Sequence, residues 1–86
     1  MQDGQAVNQQ AIDAALIAFY RYKIGELRIL DLERAMSFEV GDALSRSGLV
    51  RITITRLESG RYRLSDKGEH AITDAGRARL EELRGS

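Results

Sequence analysis

Arg51, Arg61 and Arg63 stand at alternating positions in two short segments of β-branched and aromatic residues, with Arg56 and Lys67 close by. Guanidinium groups in such a row suit bidentate hydrogen bonding to phosphate or carboxylate. Ser45, Arg46 and Ser47, just ahead in the chain, add two hydroxyls and one more cation that extend this set toward phosphate or base contacts. Other chemistries lack the residues they need. There is no cysteine, hence no disulfide, thiolate ligand or catalytic thiol. The single histidine, His70, has no constellation that would make it a catalytic base, and one histidine does not build a His-ligated metal site. The eight glycines nowhere form a GxxxxGK phosphate loop. We expect no enzyme, no cofactor and no metal.

The 86 residues carry 13 basic and 13 acidic groups, a formal net charge of zero. Residues 1–45 hold four basic and seven acidic groups, net −3; residues 46–67 hold six basic groups against Glu58 and Asp66, net +4; residues 68–86 return −1. The neutral total therefore conceals a positive block over the candidate site, and non-specific affinity for a polyanion should be modest. Glu39 and Asp42, just upstream, set acidic groups against any phosphate. No apolar run approaches the roughly 20 residues that span a bilayer. The polar N-terminus carries no basic residue, as a signal or transit peptide would. A cytoplasmic protein of one domain is the expectation.

These side chains need elements to position them. Residues 1–8 read as a disordered lead and 9–84 as the folded domain. Ile12, Ala15, Leu16, Phe19 and Tyr22 recur at helical spacing over 9–23, until Gly25 breaks the pattern. Ile29, Leu32 and Met36 mark a second helix ending near Met36-Ser37. Val40 and Leu44 mark a third, with Gly48 as its left-handed terminator. Because 37–47 is brief and holds Gly41, a short or irregular helix is expected there. Residues 50–56 alternate strictly, Glu58-Ser59-Gly60 signals a turn, and 61–64 alternate again. Pairing Leu57 with Arg61 across a three-residue loop gathers Ile52, Ile54, Tyr62 and Leu64 on one face. Arg51, Thr53, Thr55, Arg61 and Arg63 then share the other. A two-residue loop would turn Ile52 and Ile54 outward and is rejected. After a second turn at 65–68, residues 69–73 add a short third strand, and Thr73 caps a final helix over 74–84. A helix starting directly after Ser65 is the alternative, and 84–86 read as a frayed end.

Three helices, a β-hairpin and a closing helix make an α+β layout, that of a winged helix-turn-helix domain. Ile29-x-x-Leu32-x-x-x-Met36 resembles the first helix of a helix-turn-helix. Val40-x-x-Ala43-Leu44, followed by Ser47-Gly48-Leu49-Val50, resembles a recognition helix running into the first wing strand. Ile72-Thr73-Asp74-Ala75-Gly76-Arg77-Ala78-Arg79-Leu80-Glu81-Glu82-Leu83 is similar to the LTxxGRxxLEEL element that closes the wing in MarR- and PadR-type transcriptional regulators. Where such domains have a small residue after the position of Leu32, this chain has Glu33. The resemblance covers 12–84 and implies a regulator that binds double-stranded DNA. Its third helix would lie in the major groove. Arg51, Arg61 and Arg63 would grip backbone phosphates, and Arg56 or Lys67 would reach into a groove. It also implies a homodimer through the first and last helices. Ile12, Leu16, Phe19, Tyr20, Leu80 and Leu83 are the candidate interface residues, and Ile17 and Ile24 widen the apolar stripe. The alternative is a winged-helix protein-interaction module whose basic hairpin meets an acidic protein. The neutral charge and the acidic third helix favour it.

Overall fold

Phe19, Leu16, Leu32 and Leu44 are fully buried, and the elements carrying them define the architecture. The computed structural model describes residues 7–85. Within it α1 (Gln9–Lys23), α2 (Ile29–Ala35) and α3 (Phe38–Arg46) precede β1 (Ile52–Arg56) and β2 (Tyr62–Asp66). A single 3-10 turn (Gly68–His70) and α4 (Asp74–Gly85) follow. The described residues form an α+β fold, four helices with one two-stranded antiparallel sheet. Helix α1 is central and packs against α2, α3 and α4. Its residues Ala15, Leu16 and Phe19 lie one turn or less apart and point into the core.

Each helix starts where a side chain can satisfy an amide that would otherwise lack a partner. Asn8 Oδ1 accepts from the Ala11 amide at 2.8 Å, so Asn8 belongs to the fold and not to a disordered lead. The rest of that expected lead, residues 1–6, lies outside the described residues, apart from Val7, which is half-buried. Ser37 Oγ caps α3 through the Val40 amide at 3.2 Å, and Thr73 Oγ1 caps α4 through the Gly76 amide at 3.0 Å. Gly48, at φ +83°, ends the α3 segment as expected. Helix α3 is short, nine residues, but it runs unbroken through Gly41. Helix α4 continues through Arg84 and Gly85, where fraying was expected.

The hairpin has the register that side-chain alternation requires. Arg56 faces Tyr62 and Ile54 faces Leu64. The Leu57 amide donates to the Arg61 carbonyl at 2.8 Å, closing the three-residue loop. Ile52, Ile54, Tyr62 and Leu64 turn to the core. The expected third strand does not form. Only Val50 and Ile72 make an isolated antiparallel bridge. The Asp66 carboxylate accepts the Gly68 amide at 2.8 Å, and Gly68 takes a positive φ of +67°. That sharp turn leads into the 3-10 turn, leaving His70 exposed and outside any sheet.

One glycine is required by close approach, and a second is closely packed but replaceable. At Gly76 a Cβ would overlap the Leu49 carbonyl and the Ile72 side chain. At Gly41 its nearest neighbour would be the Ile54 Cδ1 methyl, 3.3 Å away, with the Met36 Cε methyl at 3.8 Å. Elsewhere, α1 and α4 are joined by a bidentate ion pair, Arg79 Nε and Nη2 to Asp13 at 2.9 and 2.6 Å. The Arg79 hydrogen bonds hold the Asp13 carboxyl below its ordinary value, opposed by desolvation and helped by Gln9.

Gly76→Ala should destabilise the fold by about 1–3 kcal/mol, because a backbone carbonyl cannot move aside as a side chain can. Gly41→Ala should stay within about 1 kcal/mol of wild type, since the helix-propensity gain of Ala offsets a small shift of Ile54. Urea midpoints at unchanged m-value measure both. The Asp13 contribution is complete above the unfolded-chain carboxylate value of about 4 and disappears as pH falls through the lower folded value. Asp13→Asn should therefore flatten the acid limb of a stability–pH profile while leaving its shape near neutrality unchanged.

Candidate nucleic-acid interface

The outward face of the hairpin follows from the register. Continuing the ladder, Arg51 stands opposite Lys67, with the Lys67 amide donating to the Arg51 carbonyl at 3.3 Å. Thr53 then pairs with Ser65 and Thr55 with Arg63. All six of these residues are exposed. The result is a ribbon with cations at both ends and hydroxyls between them. The Arg51–Lys67 pair and Arg63 lie four residues apart, about 14 Å along the strand at ~3.4 Å per residue. The Arg51 guanidinium donates to the His70 carbonyl at 2.8 Å, which fixes its direction without cancelling its charge. Among the described residues, the side chains of Arg63 and Lys67 have no hydrogen-bond or ion-pair partner.

The other expected cations are differently placed. Arg56 pairs with Glu39 of α3 at 3.0 Å and stacks on Phe38, with Cζ 4.3 Å from the ring centroid. Arg46 pairs with Asp42 one turn back in α3, at 3.3 Å. Arg61 was expected on the outer face beside Arg63. Instead its guanidinium reaches back to Glu33 of α2, at 3.9 Å. Ser45 Oγ donates to the Asp42 carbonyl and Ser47 Oγ to the Leu44 carbonyl, both at 2.6 Å. These hydroxyl protons finish helix α3. The eight expected residues therefore divide. Arg51, Arg63 and Lys67 keep their charge uncompensated, three arginines meet carboxylates, and two serines bond to their own helix.

Tyr62 was read from the sequence only as an inward-facing strand residue. Its hydroxyl lies 2.7 Å from the Met36 carbonyl oxygen and 3.0 Å from that of Glu33, and donates between them. Burial, and secondarily the Glu33 charge, push its phenol above the ordinary value. The Tyr62 ring also packs against Phe38, centroids 6.2 Å apart. At the opposite end of the hairpin, Lys23 of α1 pairs with Asp66 at 3.2 Å. Neither tie has a sequence signal, because each joins residues far apart in the chain.

The expected subunit interface is also redistributed. Leu16 and Phe19 are fully buried in the core of the single chain, so they are removed from the candidate set. Ile12, Leu80 and Leu83 are half-buried and Tyr20 is 38% exposed. Ile17 and Ile24 are 41% and 50% exposed and continue the Tyr20 stripe along α1. Ile17 and Tyr20, with Leu80 and Leu83 of α4, line an open groove of about 380 Å³ whose rim carries Arg21, Arg77, Glu81 and Arg84; Ile24 lies outside it.

Among the described residues no cluster of three or more His, Asp or Glu is placed to hold a metal ion. No described helix is long and apolar enough to cross a membrane. No family model, curated protein or solved structure matches the chain.

Tyr62→Phe should cost about 1 kcal/mol, the usual worth of one such hydrogen bond, and loosen the hairpin on α2. Denaturant unfolding gives the first quantity. Faster amide exchange in β2 relative to α1 would report the second.

Proposed function

We propose that this chain is a winged-helix module that binds duplex DNA, with the outer face of its hairpin lying on the phosphate backbone. One observation carries the proposal: Arg51, Arg63 and Lys67 are exposed without carboxylate partners, on a ribbon whose intervening residues are Thr53, Thr55 and Ser65. Hydroxyls and guanidinium groups are the usual side-chain donors to phosphate oxygens. The element order supports it, with α2 and α3 joined by two residues, α3 packed on α1 and β1, and α4 following the hairpin. Helix α3 takes the recognition position. Its Glu39 and Asp42 outnumber Arg46 and leave it net −1, so contact of the hairpin with the backbone outweighs reading of bases by α3. A second copy would dock along the Ile17, Tyr20 and Ile24 stripe with Leu80 and Leu83, setting two hairpins on one duplex.

A second reading is a protein-docking module. What favours it is the compensation of Arg46, Arg56 and Arg61 by Asp42, Glu39 and Glu33, which breaks up the positive face beside α3.

A salt titration of binding to a generic duplex separates the two. The three outer-face cations of each protomer should contribute about −2.7 to the slope of log K against log salt. Arg63→Ala and Lys67→Ala should each flatten that slope by about 0.9. Absence of duplex binding at low ionic strength would reject DNA as the partner and leave the docking module standing.

A further inference from the structure

The pairing of Arg56 with Glu39 is more than neutralisation, because Arg56 is held in two independent ways. Its face stacks on Phe38 while its Nη2 edge donates to the carboxylate. Phe38 is in turn packed against Tyr62, which is tied to the carbonyls at the end of α2. Side-chain exposures of 56% for Arg56 and 65% for Glu39 leave this pair in water, where such a contact is weak. The stack is independent of the carboxylate. If the carboxylate leaves, the guanidinium stays oriented with its edge free, and little rotamer freedom remains to be lost on binding an anion. An open cleft of about 950 Å³ lies beside it, between α2, the start of α3 and the hairpin. Arg34, Arg56 and Arg61 line that cleft together with Glu33 and Glu39.

We infer that Glu39 occupies the place of a nucleic-acid phosphate in the free protein, and that Arg56, kept in position by Phe38, exchanges Glu39 for a backbone phosphate when duplex DNA binds. This rests on the DNA-binding proposal above and adds a second row of contact to it. The outer hairpin face supplies cations that are always available. The cleft supplies Arg56, and secondarily Arg61 with its looser hold on Glu33, only after a carboxylate is displaced. The displaced Glu39 stays on the same surface and repels the incoming phosphate. It thereby weakens attachment to any duplex that does not reach the cleft. Arg46 and Asp42 belong to one helix turn and lie outside this cleft, so they take no part.

The test is duplex binding by fluorescence anisotropy across a salt series, with wild type, Glu39→Gln, Arg56→Ala, the double variant and Arg63→Ala. Glu39→Gln should bind roughly tenfold more tightly at low salt, the worth of one charge-assisted hydrogen bond. Because Arg56 meets its phosphate in the wild-type complex too, the salt slope of Glu39→Gln should stay near the wild-type value, whereas Arg56→Ala should flatten it by about 0.9. In the Arg56→Ala background Glu39→Gln should give none of that gain in affinity. An equal gain in that background would reduce Glu39 to a distant negative charge and overturn the exchange, as would an unchanged affinity in Glu39→Gln. If Arg63→Ala weakens binding while Glu39→Gln leaves it unaltered, the exchange fails and the outer-face proposal survives. If no variant binds duplex, both fall.

Discussion

The seating of α4 on the Leu49 carbonyl, possible because residue 76 has no side chain, governs the geometry of the remaining chain. Thr73 fixes that seat three times over. Its amide donates to the Leu49 carbonyl at 3.0 Å, its hydroxyl donates to the Gly48 carbonyl at 2.6 Å, and the same oxygen accepts the Gly76 amide. The exit of α3 and the entry of α4 are thereby one corner. The hairpin begins from it, since the Arg51 amide donates to the Ala71 carbonyl at 2.6 Å and Val50 bridges Ile72. With α4 directed from that corner, Arg79 comes within reach of Asp13, and the first and last helices are joined.

Much of this was legible in the residue order, and the parts that were not share a physical cause. Alternation in 50–56 and 61–64, together with the length of the turn, left only one register that buries Ile52 and Ile54. The cap at Thr73 and the terminator at Gly48 are local and therefore readable, whereas the cap at Ser37 was missed. A third strand over 69–73 is absent because its extended pattern competes with the turn imposed by Asp66 and Gly68. Leu16 and Phe19 were assigned to an interface because a helical stripe shows which residues are apolar, not which neighbour covers them. The ion pairs of Arg56 with Glu39 and of Arg61 with Glu33 join residues 17 and 28 positions apart. Nothing in local spacing announces such meetings; the packing of the hairpin against α2 and α3 creates them.

The electrostatic picture changes accordingly. Zero net charge, read along the chain, separates into a positive hairpin and acidic flanks. In three dimensions the acidic flanks fold back on one side of that hairpin. Glu33 meets Arg61 and Glu39 meets Arg56 on the side of α2 and α3, while Arg51, Arg63 and Lys67 on the outer side stay uncompensated. One ribbon thus has two electrostatic sides: strand alternation turns Arg56 away from Arg63, and Arg61 leaves the outer face by reaching back to Glu33.

An isolated two-stranded ribbon is at best marginally stable in water. Here it is braced at both ends, by Lys23, Ala71 and His70 at the root and by the Tyr62 hydroxyl near the tip. It therefore behaves mechanically as a strut of fixed twist and not as a pliable arm. Whatever lies along its outer face must supply the curvature that the contact requires, because the ribbon itself will not bend to meet it.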